Sequence, residues 1–135
     1  SDPLLDILDY INRNVMLFPQ TESLSAVKNL AQVLRLEGIT GTIVGTNDLA
    51  LDIGGIPPGM LRADVNRQPA IEEKLLEIVA KCRDAGKVAG MGGFPPSGYA
   101  RWAKEGYQWF NLGYLRDNNI EKFRPMLKEA RDLIG

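Results

Sequence analysis

Val15-Met16-Leu17-Phe18-Pro19-Gln20-Thr21-Glu22 and Thr42-Ile43-Val44-Gly45-Thr46-Asn47-Asp48-Leu49 are the two stretches on which the fold turns. Each sets a short apolar run against a break, Pro19 in the first and Gly45 in the second, and each leads into a helical pattern. A brief apolar run bounded by turn residues suits a buried parallel strand. If the runs are neighbouring parallel strands, Glu22 and Asp48 emerge together at the strands' carboxyl ends. Two carboxylates placed there are what a hard divalent cation takes from a protein.

Outward from these stretches the chain alternates. Residues 3–13 carry Leu4, Leu5, Ile7, Leu8 and Ile11 near helical spacing behind an Asp2-Pro3 start, and Asn12-Arg13-Asn14 is expected to break that helix. Residues 15–18 predict a strand that Pro19, lacking an N–H, should end. Residues 24–37 predict an amphipathic helix with Val27, Leu30, Ala31 and Leu34 on one face, Ser23 or Ser25 as N-cap and Gly38 just past its end. Residues 39–44 form the second strand, and residues 54–69 read as a long loop, the kind of connection that more often carries function than not. Residues 70–84 return to helix, with Ile71, Leu75, Ile78, Val79 and Cys82 on one face. A third strand over 87–91 leads into the Gly92–Gly98 loop. A short helix over 97–105 turns Tyr99, Trp102 and Ala103 inward, and a fourth strand covers 107–112. A last helix over 119–134 carries Phe123, Met126, Leu127, Ala130 and Leu133, with Pro125 delaying its regular part to about Arg124.

Composition narrows the function. The 135 residues fit one domain on the usual ~100–200 residues per domain. Sixteen basic against seventeen acidic residues, scattered rather than clustered, carry no signature of nucleic-acid or acidic-membrane binding. Trp102 and Trp109 read as core packing rather than a base-stacking platform, and Arg101, Lys104, Lys122 and Arg124 as solvated helix faces. The single cysteine, Cys82, excludes an internal disulfide, reads as a buried structural thiol, and points to a reducing, cytoplasmic setting. No apolar run approaches the ~18 residues of a membrane span, and no signal-peptide pattern opens the chain. The chain begins at Ser1 rather than Met, as expected of processing, a chosen boundary or truncation. It has no histidine, so histidine-dependent triads, histidine general bases and histidine-ligated zinc are excluded for these residues by themselves.

One helix and then four strand–helix units imply a parallel sheet with right-handed crossovers. Four units are half of a (β/α)8 barrel, whose usual size is ~250 residues. A small open flavodoxin-like sheet is the alternative, although its glycine loop after the first strand is missing. Singly, Glu22 reads as a first-turn acid and Asp48 as an N-cap or turn residue. Their equivalent places in successive units favour a shared site.

Pro19-Gln20-Thr21-Glu22, Glu37-Gly38-Ile39 and Gly45-Thr46-Asn47-Asp48-Leu49-Ala50, with Glu22 and Asp48 26 residues apart, resemble the HpcH/HpaI family of metal-dependent class II aldolases acting on 2-oxo acids. Ala85 to Gly90 and Gly106 to Gly113 resemble its last two strand entries. The resemblance covers nearly the whole chain but only the carboxyl-terminal half of the family's barrel.

It implies that Glu22 and Asp48 ligate Mg²⁺, Mn²⁺ or Co²⁺, that Gln20 hydrogen-bonds near pyruvate and the metal's waters, and that the backbone N–H groups of Gly45, Thr46, Asn47 and Asp48 hold the pyruvate carboxylate. The reaction implied is C–C cleavage of a 2-oxo acid to pyruvate and an aldehyde, with the aldehyde over the loops after Leu49 and Met91. A citrate-lyase-like acyl-CoA lyase and a non-catalytic fragment or binding module are the alternatives. Thr46 stands where the family often has proline, and Gly92-Gly93 and Leu115-Arg116-Asp117 differ from its usual loops. The family's catalytic histidine and substrate-binding arginine fall in the half of the barrel that these residues do not include. The expected partner is therefore the amino-terminal half-barrel or a second copy of the chain, in an oligomer.

Overall fold

A computed structural model describes residues 2–113 and 120–135. The elements run α1 (Pro3–Asn14), β1 (Gln20–Thr21), α2 (Leu24–Val33), β2 (Gly41–Val44), α3 (Thr46–Ile53), α4 (Arg62–Val65), α5 (Pro69–Asp84), β3 (Val88–Gly92), α6 (Pro96–Glu105), β4 (Trp109–Asn111) and α7 (Ile120–Ile134). The four strands form one parallel sheet in the order β1-β2-β3-β4. A doubly wound sheet reverses direction at a switch point, and this order never does. Winding always to the same side with right-handed crossovers lays the helices on one face and leaves the other bare, as in a barrel wall. The flavodoxin-like alternative is set aside by that order.

The helix-covered face holds the core. Val27 and Leu30 of α2, Ile71, Leu75, Ile78, Val79 and Cys82 of α5, and Tyr99 and Trp102 of α6 pack with Val44, Ala89 and Met91 of the strands. The expected α5 face is the buried one. Each such aliphatic side chain contributes about 1.5–3 kcal/mol relative to exposure. The bare face carries Phe18, Ile43 and Trp109, with the Phe18 and Trp109 rings 6.1 Å apart. Trp102 is thus a core residue as expected, whereas Trp109 is only half-buried.

Several boundaries differ from the sequence reading, each for a physical reason. The first strand is Gln20–Thr21, beyond Pro19, and residues 15–18 contribute only the Leu17–Ile39 bridge. Pro19 interrupts the ladder instead of ending it. It has no N–H to give, but its carbonyl accepts from Ile43 N at 3.2 Å and from Thr42 Oγ1 at 2.7 Å. Helix α1 continues through Asn14, whose side chain donates to the Tyr10 carbonyl. Helix α2 stops at Val33, so Gly38 belongs to the turn that follows; Ala31 is exposed, to one side of the buried Val27 and Leu30, and Ser23 is the N-cap, accepting from Ala26 N at 3.1 Å. Segment 54–69 contains the short helix α4. Helix α7 begins at Ile120 with Pro125 inside it, and of its expected apolar face only Ala130 is buried while Leu127 and Leu133 are exposed. Arg101 is more than a solvated charge, since it pairs with Glu72 of α5 and stacks 4.9 Å over Trp102. The Leu115-Arg116-Asp117 loop lies outside the described residues.

Helix α1 is amphipathic and correctly capped by Asp2, yet none of its residues is buried; Leu4, Leu5, Ile7, Leu8 and Ile11 are all exposed. Among the described residues no helix is long and apolar enough to cross a membrane.

Three buried protons make stability depend on alkaline pH. Burial pushes the Cys82 thiol up from 9.0 to about 11, and burial also raises the Tyr99 and Tyr107 hydroxyls. Above about pH 9 the unfolded chain releases protons that the folded chain retains, so stability falls as pH rises. The urea midpoint is expected to drop between about pH 8 and about pH 10.5, less steeply in Cys82→Ala. A thiol reagent at neutral pH should label Cys82 only after unfolding; rapid labelling of the folded chain would contradict this placement.

Candidate metal and anion site

The register of β1 on β2 builds the site. Gln20 pairs with Ile43 and Thr21 with Val44, and Gly45 N donates to Thr21 O at 3.1 Å. That register brings the Glu22 backbone beside Gly45, the N-cap of α3. A Cβ on Gly45 would stand 2.7 Å from Gln20 Nε2, 2.8 Å from Glu22 Oε2 and 2.9 Å from Glu22 Cβ. Only a residue without a side chain lets the amide and the carboxylate close on the start of α3 in this way. Asp48 lies in the first turn of that same helix.

Gln20, Gly45, Thr46, Asn47 and Asp48 line one cleft of about 430 Å³ on the bare face, at the carboxyl ends of the strands. Its far wall is Gly92, Gly93 and Phe94 after β3, with Trp109 and Asn111 of β4. Glu22 does not line the cleft; it is exposed at the rim, its carboxylate against Gly45. Among the described residues no group of three or more histidine, cysteine or acidic side chains gathers.

One expectation needs revising. The Gly45 N–H is spent on Thr21 O and cannot also serve an anion. Gly45 supplies no side-chain cap to the start of α3.

The loops around the cleft are tied by hydrogen bonds that the sequence did not disclose. Thr46 Oγ1 donates to Gly92 O at 3.2 Å, and Asn66 Nδ2 donates to Gly93 O at 3.3 Å. Asn66 is buried, and its Oδ1 finds no donor among the described residues. Tyr99 is fully buried; its hydroxyl donates to Asn111 O at 2.6 Å and accepts from Phe94 N at 3.4 Å, joining the loop after β3 to the end of β4. The inward place of Tyr99 is legible from helical spacing, but its hydroxyl's partners are not. Within segment 54–69, Asn66 is the buried polar residue that reaches the loop after β3.

No family model matches the chain. A 4-hydroxy-2-oxo-heptane-1,7-dioate aldolase of Shigella sonnei is 30% identical to it over 86 residues, 64% of this chain and 30% of that protein. A hydroxypyruvate/pyruvate aldolase of Roseovarius nubinhibens is 32% identical over 89 residues, 64% of this chain and 32% of that protein. A solved HpcH/HpaI aldolase/citrate lyase family protein from Burkholderia cenocepacia superposes with a TM-score of 0.71 at 22% identity, covering 96% of this chain and 48% of its own. The chain is similar in sequence to these two aldolases and in fold to this HpcH/HpaI structure. It spans about a third of the curated relatives' length and about half of the solved structure. The unreversed strand order, the bare face and the match to about half of that structure agree with four units of a (β/α)8 barrel.

Proposed function

We propose that this chain is the metal- and pyruvate-holding half of a divalent-metal-dependent aldolase that cleaves a 2-oxo acid to pyruvate and an aldehyde. The observation that carries the reading is the closure of Gln20 and Glu22 on Gly45, at the head of the helix that bears Asp48. The donors present suit a hard cation. Two carboxylates and an amide oxygen are oxygen ligands, and Mg²⁺ or Mn²⁺ takes one or two carboxylates and keeps water or substrate oxygens in its remaining positions. Such an ion, held by Glu22 and Asp48, would supply Lewis-acid stabilisation of negative charge on the substrate's keto oxygen.

The chain's own residues supply the rest. The first-turn N–H groups of Thr46 to Asp48 would receive the substrate carboxylate, a negative group at a helix N-terminus. Gln20 would orient the keto end by hydrogen bonding from the same strand end. Phe18 and Trp109 form an apolar floor that limits water on the bare face. No histidine is present to move a proton, so that role falls to a group outside these residues. The unburied apolar face of α1 supports a missing amino-terminal half-barrel or a second copy as partner.

A lactate-dehydrogenase-coupled assay for pyruvate tests the division of labour. With a 4-hydroxy-2-oxo acid and Mn²⁺, the chain alone is expected to bind the ion and release no pyruvate above background. Metal-dependent release by the chain alone would overturn the half-site reading, and absence of Mn²⁺ binding would overturn the metal reading.

A further inference from the structure

Asp52 lies one helical turn beyond Asp48, and residues four apart share a helix face. Its Oδ2 accepts from Leu24 N at 2.6 Å, across from α3 to the first residue of α2. Leu24 is two residues after Glu22, and its N–H is one of those that a helix start leaves without an internal partner. The local cap at this end, Ser23 Oγ, already serves Ala26 N. Asp52 is therefore a second cap delivered from another element, charge-assisted and short.

Two contacts now fix α3 against the segment that carries Glu22. At the helix start, Gly45 is closed upon by the Glu22 side chain. One turn past Asp48, Asp52 grips the backbone of Leu24. Asp48 lies between these two points along α3, one turn before Asp52. Rotation of α3 about its axis would break the Asp52 bond, and sliding along the axis would break both.

We infer that Asp52 is a positioning residue for the metal pair, setting the rotation of α3 that presents Asp48 on the side of Glu22. The inference rests on the metal reading proposed above. Asp52 touches neither substrate nor ion; it acts through the two helices.

Calorimetric Mn²⁺ titration of the full chain, with thermal melts of each variant, tests it. Asp52→Ala is expected to weaken Mn²⁺ binding by about tenfold or more, the range seen when a supporting partner of a metal ligand is lost. Asp52→Asn keeps an acceptor for Leu24 N without the charge and is expected to stay within about threefold of the unsubstituted chain. Ser23→Ala removes the other cap of the same helix end, lowers stability in a comparable way, and should leave affinity unchanged. Equal affinities for Asp52→Ala and Ser23→Ala would overturn the positioning role, as would an Asp52→Asn variant as weak as Asp52→Ala. Failure of the unsubstituted chain to bind Mn²⁺ is a separate outcome that sinks the metal site and this inference together.

Discussion

Glu22→Gln is expected to reduce Mn²⁺ affinity by on the order of a hundredfold or more, because even groups that merely support a metal ligand are worth 10–100-fold. The substitution keeps the side chain's length and shape, so the packing against Gly45 survives while one of two anionic oxygen donors is lost. Glu22 is exposed, and exposed substitutions of this kind move stability by no more than about 0.5 kcal/mol. Loss of binding with an unchanged melting temperature would therefore be read at the site alone. Asp48→Asn should behave similarly, and the double variant should be scarcely worse than either, since one carboxylate by itself makes a poor site for a hard cation. Unaltered affinity in Glu22→Gln would remove the basis of the proposed function.

The second large effect concerns the sheet. Gly41→Ala is expected to destabilise the fold by about 3 kcal/mol or more, at or above the upper end of ordinary overpacking. A Cβ there would overlap the Val88 carbonyl oxygen and stand 2.7 Å from its carbon, and Val88 is Gly41's own partner in the β2–β3 ladder. Backbone in a parallel ladder cannot step aside without giving up hydrogen bonds. Gly90 offers the comparison: its added Cβ would meet Ile43 Cγ1 at 3.1 Å and Trp109 Cε3 at 3.2 Å, both side chains bordering the open cleft. Gly90→Ala should cost about 1 kcal/mol. Urea unfolding of the two variants side by side checks the ordering, and a mild Gly41→Ala would contradict the register of these strands.

The parallel βα alternation and the α5 face were legible in the sequence because they rest on periodicity, and five apolar positions at helical spacing admit few alternatives. The placement of Gln20, Glu22 and Asp48 at strand ends was legible for a different reason. Glycine and proline punctuate the chain there, and the family resemblance fixed which acidic residues to follow. The first strand was misplaced because hydrophobicity favoured Val15 to Phe18, whereas the ladder follows the register in which Thr21 meets Val44. Val15, Met16 and Leu17 remain exposed, so their apolarity answers to something other than the covered face of this sheet. The partners of Asn66, Tyr99 and Asp52 were not legible at all. Each is a polar group whose acceptor or donor is a backbone atom of a different element, and backbone atoms leave no mark on composition or spacing.

The unreversed strand order also bears on how the chain reaches its fold. Thr21 meets Val44 across 23 residues and Gly90 meets Trp109 across 19, but Gly41 meets Val88 across 47, because the α3–α5 segment intervenes. Closing the longest of these loops rather than the shortest costs about 0.8 kcal/mol more in chain entropy. On chain entropy alone, the seam between β2 and β3 is expected to join after the two more local strand pairs. The tightest backbone approach in the sheet, Gly41 on Val88, lies on that seam. The pairing with the greatest sequence separation is thus also the one that tolerates an added side chain least.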